Sequence, residues 1–494
     1  MLFQSTRDAS AKKVTASMAI KQGLADDGGL FVPDSIPALT EDEIRELCGD
    51  SYPQRAAKIL AKFLSDYTYD ELLEDCTRAY CPESFVGGCA PLVKVRDGLY
   101  SEELWHGPTS AFKDMALQIM PRLLSRALVK NHEDRTALIL VATSGDTGKA
   151  ALEGYRDIDR IKIMVFYPVD GVSRVQKLQM ATQGGDNVNV CAIRGNFDDA
   201  QSGVKAIFSD RDMAEKLDQA GYFLSSANSI NWGRLAPQIV YYVSAYCDLL
   251  TEGTIKMGEK VNFCVPTGNF GNILAAYIAK KMGLPVGKLI CASNSNNVLT
   301  DFLRTGEYDR NRTFHMTMSP SMDILISSNL ERLLWLTAGS EATAAYMESL
   351  RTTGKYRISP EHLAAINETF CGYYTDEAAT AATIRETFAN NAYLADTHTA
   401  VALCAVEQYR RESADNTITV VASTASPYKF AADVVNSLGT PKPADDLDAL
   451  ALLSDKTGTE ITLPLRGLAE RKVRFDRVID ANRMADEVLA YVSK

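Results

Sequence analysis

Histidine is scarce in this sequence, and the cysteines form no recognisable metal-binding or redox motif. The 494 residues include five histidines and ten cysteines. None of them has HExxH, HxxxH or CxxC spacing, so a zinc site built by the protein is not expected. Several cysteines lie inside apolar runs such as VNFCV and LICAS. Such positions are typical of buried free thiols in a reducing compartment.

Long hydrophobic runs and an excess of positive charge are also missing. No apolar stretch reaches the about 18 residues that a membrane helix needs, and the opening MLFQSTRDAS does not have the pattern of a secretory signal. Lys and Arg number 52 against 63 Asp and Glu, which gives a net charge of −11. This balance disfavours non-specific binding to nucleic acid or anionic lipid. We therefore expect a soluble, cytoplasmic protein with neither nucleic-acid nor membrane partners.

The order of apolar runs along the chain predicts an α/β fold. Residues 1–92 have a helix-rich pattern and end near the small-residue stretch FVGGCAPL. Beyond it, short strand-like runs each end in turn-prone residues and are separated by stretches of helical period, as in ALILVATSGDTG, IKIMVFYPVDG, VNFCVPTGNFGN and TITVVASTASP. This alternation predicts twisted parallel sheets with helices on both faces. We predict a helical N-terminal domain at 1–92, a two-lobed body at 93–440 whose smaller lobe spans about 133–250, and a C-terminal extension at 441–494.

One lysine stands at the predicted start of a helix. Apolar residues recur at helical spacing from Phe112 to Leu124, although Pro121 should kink or end that helix. Lys113 then falls in the first turn, where the helix dipole disfavours a positive charge. A lysine whose charged form is destabilised is a better nucleophile, and Schiff-base lysines arise in this way. The alternative is an ordinary surface lysine beside Asp114.

Three turns at predicted strand ends offer amides and hydroxyls to a ligand. The loop from Thr267 to Asn272 contains two glycines and precedes a helix, which suits a phosphate, although a plain tight turn fits equally well. The turn from Thr143 to Gly148 would suit a carboxylate or a second phosphate, or would serve as a helix cap. The third turn, ASTASP, is rich in hydroxyls. Together with Lys113, these turns match a phosphorylated aldehyde cofactor held as a Schiff base.

The ordered set of motifs resembles a known family. HGPTSAFKD, ATSGDTGKAALEG, SANSIN..R, PTGNFGN and STASPYKF occur in the order found in the threonine synthase family, whose members are pyridoxal-phosphate enzymes of the tryptophan-synthase-β (fold type II) group. The opening STRD and GLADDGGLFVP resemble the N-terminal domain of its bacterial and fungal branch. Two departures are STRD in place of STRG, and TASPYKF where TAHPAKF is common.

The resemblance implies a role for each matching position. Lys113 would bond the pyridoxal phosphate, and Thr424 would lie near the pyridine nitrogen. The cofactor phosphate would bind at Gly268, Asn269, Phe270, Gly271 and Asn272. The substrate carboxylate would be received at Ser144, Gly145, Asp146 and Thr147. Many relatives outside this family carry Asn at the position of Asp146, and an anionic side chain there needs a compensating donor. Basic residues beside the motifs could bind a phosphorylated substrate, namely Lys149, Arg174 and Arg234; otherwise they are solvated surface charges.

The activity that the resemblance implies is the conversion of O-phospho-L-homoserine and water into L-threonine and phosphate. The bacterial and fungal branch is often monomeric, so a monomer is expected. The nearest alternative is another enzyme of the same fold type, such as a serine/threonine dehydratase or a phospholyase that releases a keto acid. A non-catalytic binding module that retains the fold is a third possibility, but the presence of Lys113 and the GNFGN loop argues against it.

Overall fold

A computed structural model describes the whole chain except residues 9, 11, 144, 171 and 494. The strands within the described ranges are, in chain order, β1 (Phe3–Ser5), β2 (Phe31–Pro33), β3 (Leu92–Arg96), β4 (Leu99–Glu103), β5 (Thr136–Ala142), β6 (Ile161–Pro168), β7 (Val188–Arg194), β8 (Tyr222–Ser225), β9 (Val261–Pro266), β10 (Val286–Ser293), β11 (Glu307–Asp309), β12 (Lys355–Arg357), β13 (Phe370–Tyr374), β14 (Thr419–Ser423) and β15 (Val478–Asp480).

The α-helices of the same ranges cover more of the chain than the strands do. They are α1 (Ala16–Gln22), α2 (Glu41–Cys48), α3 (Tyr52–Phe63), α4 (Tyr69–Ala79), α5 (Asp114–Leu117), α6 (Met120–Lys130), α7 (Asp146–Tyr155), α8 (Arg174–Ala181), α9 (Phe197–Ser209), α10 (Arg211–Gln219), α11 (Trp232–Leu235), α12 (Pro237–Thr251), α13 (Gly271–Met282), α14 (Val298–Thr305), α15 (Leu330–Thr353), α16 (Pro360–Asn367), α17 (Glu377–Asn391), α18 (Thr397–Ser413), α19 (Ala431–Ser437), α20 (Asp446–Thr457) and α21 (Met484–Val492).

Two larger sheets form the body of the molecule. The first has the strand order β13-β10-β9-β14-β4-β3 and is parallel except for the antiparallel β3–β4 pair. The second has the order β15-β7-β6-β5-β8 and is parallel throughout. The central strands β9 and β14 are buried along their whole length, as expected for sheets covered by helices on both faces. The predicted α/β class with parallel sheets is confirmed.

The second sheet is completed by a strand from the far end of the chain. Residues 136–225 supply β5 to β8, and β15 adds to the edge beside β7, with Val478 opposite Ala192 and Asp480 opposite Arg194. Met484 and Val488 of α21 are buried in the same hydrophobic core as β5 and β6. Strand β15 and helix α21 therefore pack as part of this lobe. The domain boundaries given above stay predictions.

The N-terminal region consists of helices α1 to α4 and the short antiparallel pair β1–β2. Capping boxes occur at helix starts in this region, for example Thr40 and Glu43 at α2, and Thr68 and Glu71 at α4. The helix predicted after Phe112 is two helices, because Pro121 lies in the first turn of α6, where its missing amide hydrogen costs nothing.

Candidate active site

Lys113 lies where two parallel strands of the larger sheet end. It follows β4 and immediately precedes α5, and the turn after β14 runs alongside it. The amide of Phe112 donates to the carbonyl of Thr424 (2.8 Å), and that of Ser426 donates to the carbonyl of Ser110 (3.1 Å). These two bonds hold the hydroxyl-rich turn, including Thr424, against the lysine. Strand ends meeting at one edge of the sheet thus bring together two motifs more than 300 residues apart.

The Lys113 amine is largely buried and has polar neighbours. Its side chain is only 11% exposed, and Nζ lies 3.3 Å from Oγ of Ser321 and 3.8 Å from Oδ2 of Asp146. Burial lowers the pKa of this amine below its ordinary value, although the carboxylate of Asp146 acts in the opposite direction. The positive charges of Lys429 and Arg234 lower the pKa further. The neutral, nucleophilic form is therefore favoured relative to an exposed lysine.

Asp146, at the start of α7, has the compensating donors that an anion in this position needs. Burial by itself would raise the pKa of its carboxyl, but Lys429 and Lys113 together hold that pKa well below its usual range. Lys429 Nζ lies 3.1 Å from Oδ1 of Asp146, and the side-chain amide of Gln176 donates to the same oxygen at 3.0 Å. Asp146 is therefore an ionised residue paired with lysines from the other lobe.

The loop between β9 and α13 has the shape of an anion cradle. Phe270 adopts a left-handed backbone conformation (φ 62°) immediately before the helix. The amides of Gly268, Asn269 and Phe270 donate no hydrogen bond to other described residues, and the first amides of a helix such as α13 have no acceptor within the helix. Asn272 accepts hydrogen bonds from the hydroxyls of Tyr241 and Tyr242, and its own buried Nδ2 has no acceptor among the described residues.

The candidates for binding the substrate carboxylate lie in and after the turn that precedes α7. Within the turn before α7, Thr143 Oγ1 accepts from the amides of Gly145 and Gly148, both at 3.0 Å, so a hydroxyl does cap this turn. Thr147 is partly buried beside Asp146. Ser144, also predicted for this site, lies outside the described residues.

The three basic candidates differ in their surroundings. Arg234 is buried; it donates to the carbonyl of Ala227 (2.9 Å), and its Nε has no partner in the described part of the chain. Lys149 is also buried, but Glu153 (2.9 Å) and Gln183 occupy its amine. Arg174 has 58% of its side chain exposed and is paired with Asp445. The structure thus brings Arg234 near Lys113 and leaves Arg174 at the surface.

Sequence reasoning missed four side chains around the lysine: Ser321, Lys429, Gln176 and His398. Nε2 of the buried His398 accepts the amide hydrogen of Ser321 (3.1 Å), and Nδ1 then carries the proton that faces Asp396 (2.9 Å). Ser321 belongs to a stretch between α14 and α15 whose sequence carries no readable motif. Lys429 could have been predicted from the sequence, since it lies within the STASPYKF motif.

These features fit pyridoxal phosphate. The unbonded amides of the loop and Nδ2 of Asn272, which has no acceptor among the described residues, suit its phosphate. The buried Lys113 amine suits its aldehyde. Position 268 has no space for a side chain, since a Cβ there would lie 2.8 Å from the carbonyl oxygen of Ser321. Among the residues that the structure describes, no group of three or more His, Cys, Asp or Glu side chains could hold a metal, and no helix could span a membrane.

Three family models match this chain, and the second and third overlap: "Threonine synthase N terminus" at residues 2–80, "Pyridoxal-phosphate dependent enzyme" at 85–424 and "Threonine synthase, C-terminal" at 399–488. Threonine synthase of Pseudomonas aeruginosa is 38% identical over 436 residues, which is 87% of this chain and 89% of that protein. The chain belongs to the threonine synthase family. The resemblance seen in the sequence motifs is therefore confirmed.

Solved structures of threonine synthases have the same architecture. The pyridoxal-phosphate-bound enzyme from Brucella melitensis matches with a TM-score of 0.88 at 37% identity, and the yeast enzyme with 0.90 at 33%; each match covers 100% of this chain and 98% of the other. Human threonine synthase-like 1 is 40% identical over 443 residues, which is 86% of this chain. The chain spans about 59% of the length of that relative.

Proposed function

We propose that this protein is a pyridoxal-phosphate enzyme that converts O-phospho-L-homoserine and water into L-threonine and phosphate. The observation that carries the proposal is the buried Lys113 amine between Ser321 and Asp146, in a chain of the threonine synthase family. The backbone next to this lysine bonds the Thr424 turn. Pyridoxal phosphate, once bound, supplies an electron sink for a carbanion next to the substrate nitrogen. We expect Lys113 to hold its aldehyde, residues 268–272 to hold its phosphate, and Thr424 to approach its ring nitrogen.

The chemistry that we assign to the protein is mainly proton transfer. The reaction moves protons at adjacent carbons, which requires one mobile base. We assign that base to the Lys113 amine, because burial lowers its pKa and so favours the neutral form more than in an exposed lysine. The hydroxyl of Ser321, 3.3 Å from Nζ, can orient that amine. The carboxylate of Asp146 balances the positive charge of Lys429 and of Lys113 while Lys113 gains and loses protons.

A dianionic substrate in a protein of net charge −11 requires local positive charge. Arg234 is the best placed of the three candidates. It is buried, its positive charge lowers the pKa of Lys113, and its Nε has no hydrogen-bond partner among the described residues. Burial lowers the pKa of Arg234 to about 10, so it is still charged at neutral pH. We propose that it receives the substrate phosphate, whereas residues 145–147 and the preceding serine receive the carboxylate.

We also propose that the enzyme is cytoplasmic. All ten cysteines are free thiols, as is typical of proteins in a reducing compartment. We propose a monomer as the active form.

The decisive experiment records the absorption spectrum of the purified protein before and after O-phospho-L-homoserine, while threonine and phosphate are measured together. Equal amounts of both products are expected. Release of 2-oxobutyrate and ammonia without threonine would make the protein a dehydratase or phospholyase instead. Borohydride should fix the cofactor on Lys113, and Lys113→Ala should abolish this whereas Lys281→Ala, on the distant end of α13, should not. Failure to fix any cofactor would point to a non-catalytic binding module.

A further inference from the structure

Two motifs near the N-terminus fold into a single unit. The hydroxyl of Ser5 donates to both carboxylate oxygens of Asp27 (2.9 and 2.7 Å), which also accepts from the amide of Gly29. Gly29 is packed so closely that a Cβ would lie 2.1 Å from the Ser5 hydroxyl. Thr6 exchanges hydrogen bonds with Leu30, its amide donating to the carbonyl and its hydroxyl accepting from the amide, each at 2.9 Å. STRD and GLADDGG therefore fix one another, and neither motif has a place in the reaction described above.

This unit holds a glutamate that lies more than 300 residues further along the chain. Arg7 donates from Nε to Oε1 of Glu331 (2.9 Å) and from Nη2 to Oε2 (2.8 Å), a two-pronged geometry that only a guanidinium provides. The hydroxyl of Thr6 donates to the same carboxylate at 2.5 Å. Glu331 is buried, with 5% of its side chain exposed, so solvent screens this ion pair much less than it would a surface pair.

The next residue, Arg332, extends the connection. It is fully buried and donates to the carbonyls of Phe31 (3.0 Å) and Ile230 (2.6 Å) and to Oδ1 of Asn329. Glu331 and Arg332 together therefore tie the first turn of α15 to the N-terminal unit and to the residues immediately before that turn.

The segment so fixed contacts the phosphate loop. The amide of Asn329 donates to the carbonyl of Asn269 (3.0 Å), and the hydroxyl of Ser327 donates to that of Gly268 (2.7 Å). The carbonyl of one residue and the amide of the next lie in one planar, trans peptide and point in opposite directions. Holding the carbonyls of Gly268 and Asn269 against this segment thus directs the amides of Asn269 and Phe270 to the other side of the loop.

We infer that Thr6 and Arg7 are positioning residues for the phosphate loop, acting through Glu331 and the segment 327–332 on the direction of its amides. The inference rests on the proposed function, which assigns the cofactor phosphate to this loop. The N-terminal domain would then support the cofactor site indirectly, because Thr6 and Arg7 bond Glu331.

The test compares two ligands that differ only in the phosphate group. Apo-protein is titrated with pyridoxal phosphate and with pyridoxal while the absorbance of the bound form is followed. In Arg7→Gln we expect affinity for pyridoxal phosphate to fall about threefold to thirtyfold and affinity for pyridoxal to change little. Lys13→Ala is the matched control, because it removes an ion pair with Asp34 inside the same domain.

Further variants separate positioning from loss of folding. Arg7→Lys keeps the charge but loses the two-pronged geometry, so it should bind pyridoxal phosphate with intermediate affinity. Glu331→Gln should weaken pyridoxal phosphate binding similarly, and adding it to Arg7→Gln should have little further effect, since both changes break one contact. Equal weakening for both ligands, or unchanged pyridoxal phosphate binding in Arg7→Gln, would overturn the inference. A wild-type protein that binds pyridoxal as tightly as pyridoxal phosphate would instead overturn the assignment of the loop.

Discussion

Lys429 and Asp146 form an ion pair inside the protein, with Nζ 3.1 Å from Oδ1 and the lysine side chain fully buried. The amine also donates to the carbonyl of Thr109 at 2.7 Å. Lys429 follows β14 of the larger sheet, whereas Asp146 opens α7 beside the smaller one. The pair therefore joins the two lobes next to Lys113, whose amine lies 3.8 Å from the other oxygen of Asp146. It also compensates the charge of a carboxylate whose role the sequence did not explain.

Replacing Lys429 should lower the free energy of unfolding, because it breaks this ion pair. Lys429→Met leaves Asp146 as a buried charge with weaker compensation, and removal of one partner of a buried pair costs about 3–5 kcal/mol of the free energy of unfolding. Adding Asp146→Asn should recover much of that loss. Urea unfolding of the single and double variants measures both effects. A loss in Lys429→Met no larger than that of Lys456→Met, at an exposed position, would contradict this prediction.

Glu102 should make the protein less stable as the pH rises. Burial, and to a smaller extent the charge of Asp248, raises the pKa of its carboxyl well above the ordinary value, and neither oxygen has a hydrogen-bond partner among the described residues. The unfolded chain loses this proton at about pH 4.3, whereas the folded chain keeps it to higher pH. Between these two pKa values the folded state therefore binds more protons than the unfolded state. The contribution of Glu102 to the free energy of unfolding is fully present below the unfolded-state pKa and is lost as the pH rises towards the folded-state pKa.

Glu102→Gln cannot ionise, so its free energy of unfolding relative to wild type should increase with pH above the unfolded pKa. Urea unfolding at several pH values between 4 and 8 would test this. Glu83→Gln, at an exposed position, serves as the control. A constant difference between Glu102→Gln and wild type across that range would show that the carboxyl is not kept protonated by burial.

Gly268 should not tolerate a side chain. A Cβ would lie 2.8 Å from the backbone oxygen of Ser321, and such overpacking costs about 1–3 kcal/mol or displaces the loop. We expect Gly268→Ala to bind pyridoxal phosphate more weakly by about tenfold or more, as measured by titration of the apo-protein. Gly49→Ala, where the nearest atom is 3.6 Å from the added Cβ, should bind normally; equal affinities in the two variants would contradict the predicted contact.

The basic candidates should separate in kinetics. Arg234→Ala should raise KM for O-phospho-L-homoserine by at least about tenfold, because a charge-assisted hydrogen bond to the phosphate is lost. Arg174→Ala should leave KM unchanged, since that side chain is largely exposed and already paired with Asp445. Steady-state assays of phosphate release measure both. If only Arg174→Ala raises KM, the phosphate site lies elsewhere.

Local sequence was sufficient for the α/β alternation and for the motifs that carry the chemistry, but it did not predict strand β15. Apolar runs ending in glycine or hydroxyl residues predicted parallel strands because strand burial and turn chemistry are both encoded locally. Pro121 predicted a break, and the structure has one there. The glycine loop before α13 was identifiable because a helix start suits an anion. Lys113 was also identifiable, but the predicted reason was wrong. It precedes the short helix α5 instead of lying in a first turn, and its pKa is lowered mainly by burial.

The sequence by itself thus determined the α/β class, the family and the motif that presents Lys113. Only the tertiary structure decided which distant residues complete the site. Ser321 reaches the amine from a stretch without a motif, Lys429 pairs across the lobes, and Arg7 holds Glu331 more than 300 residues away. Local propensity carries no information on such contacts, because they exist only once strand order has brought separate loops to one sheet edge and burial has made their charges dependent on each other.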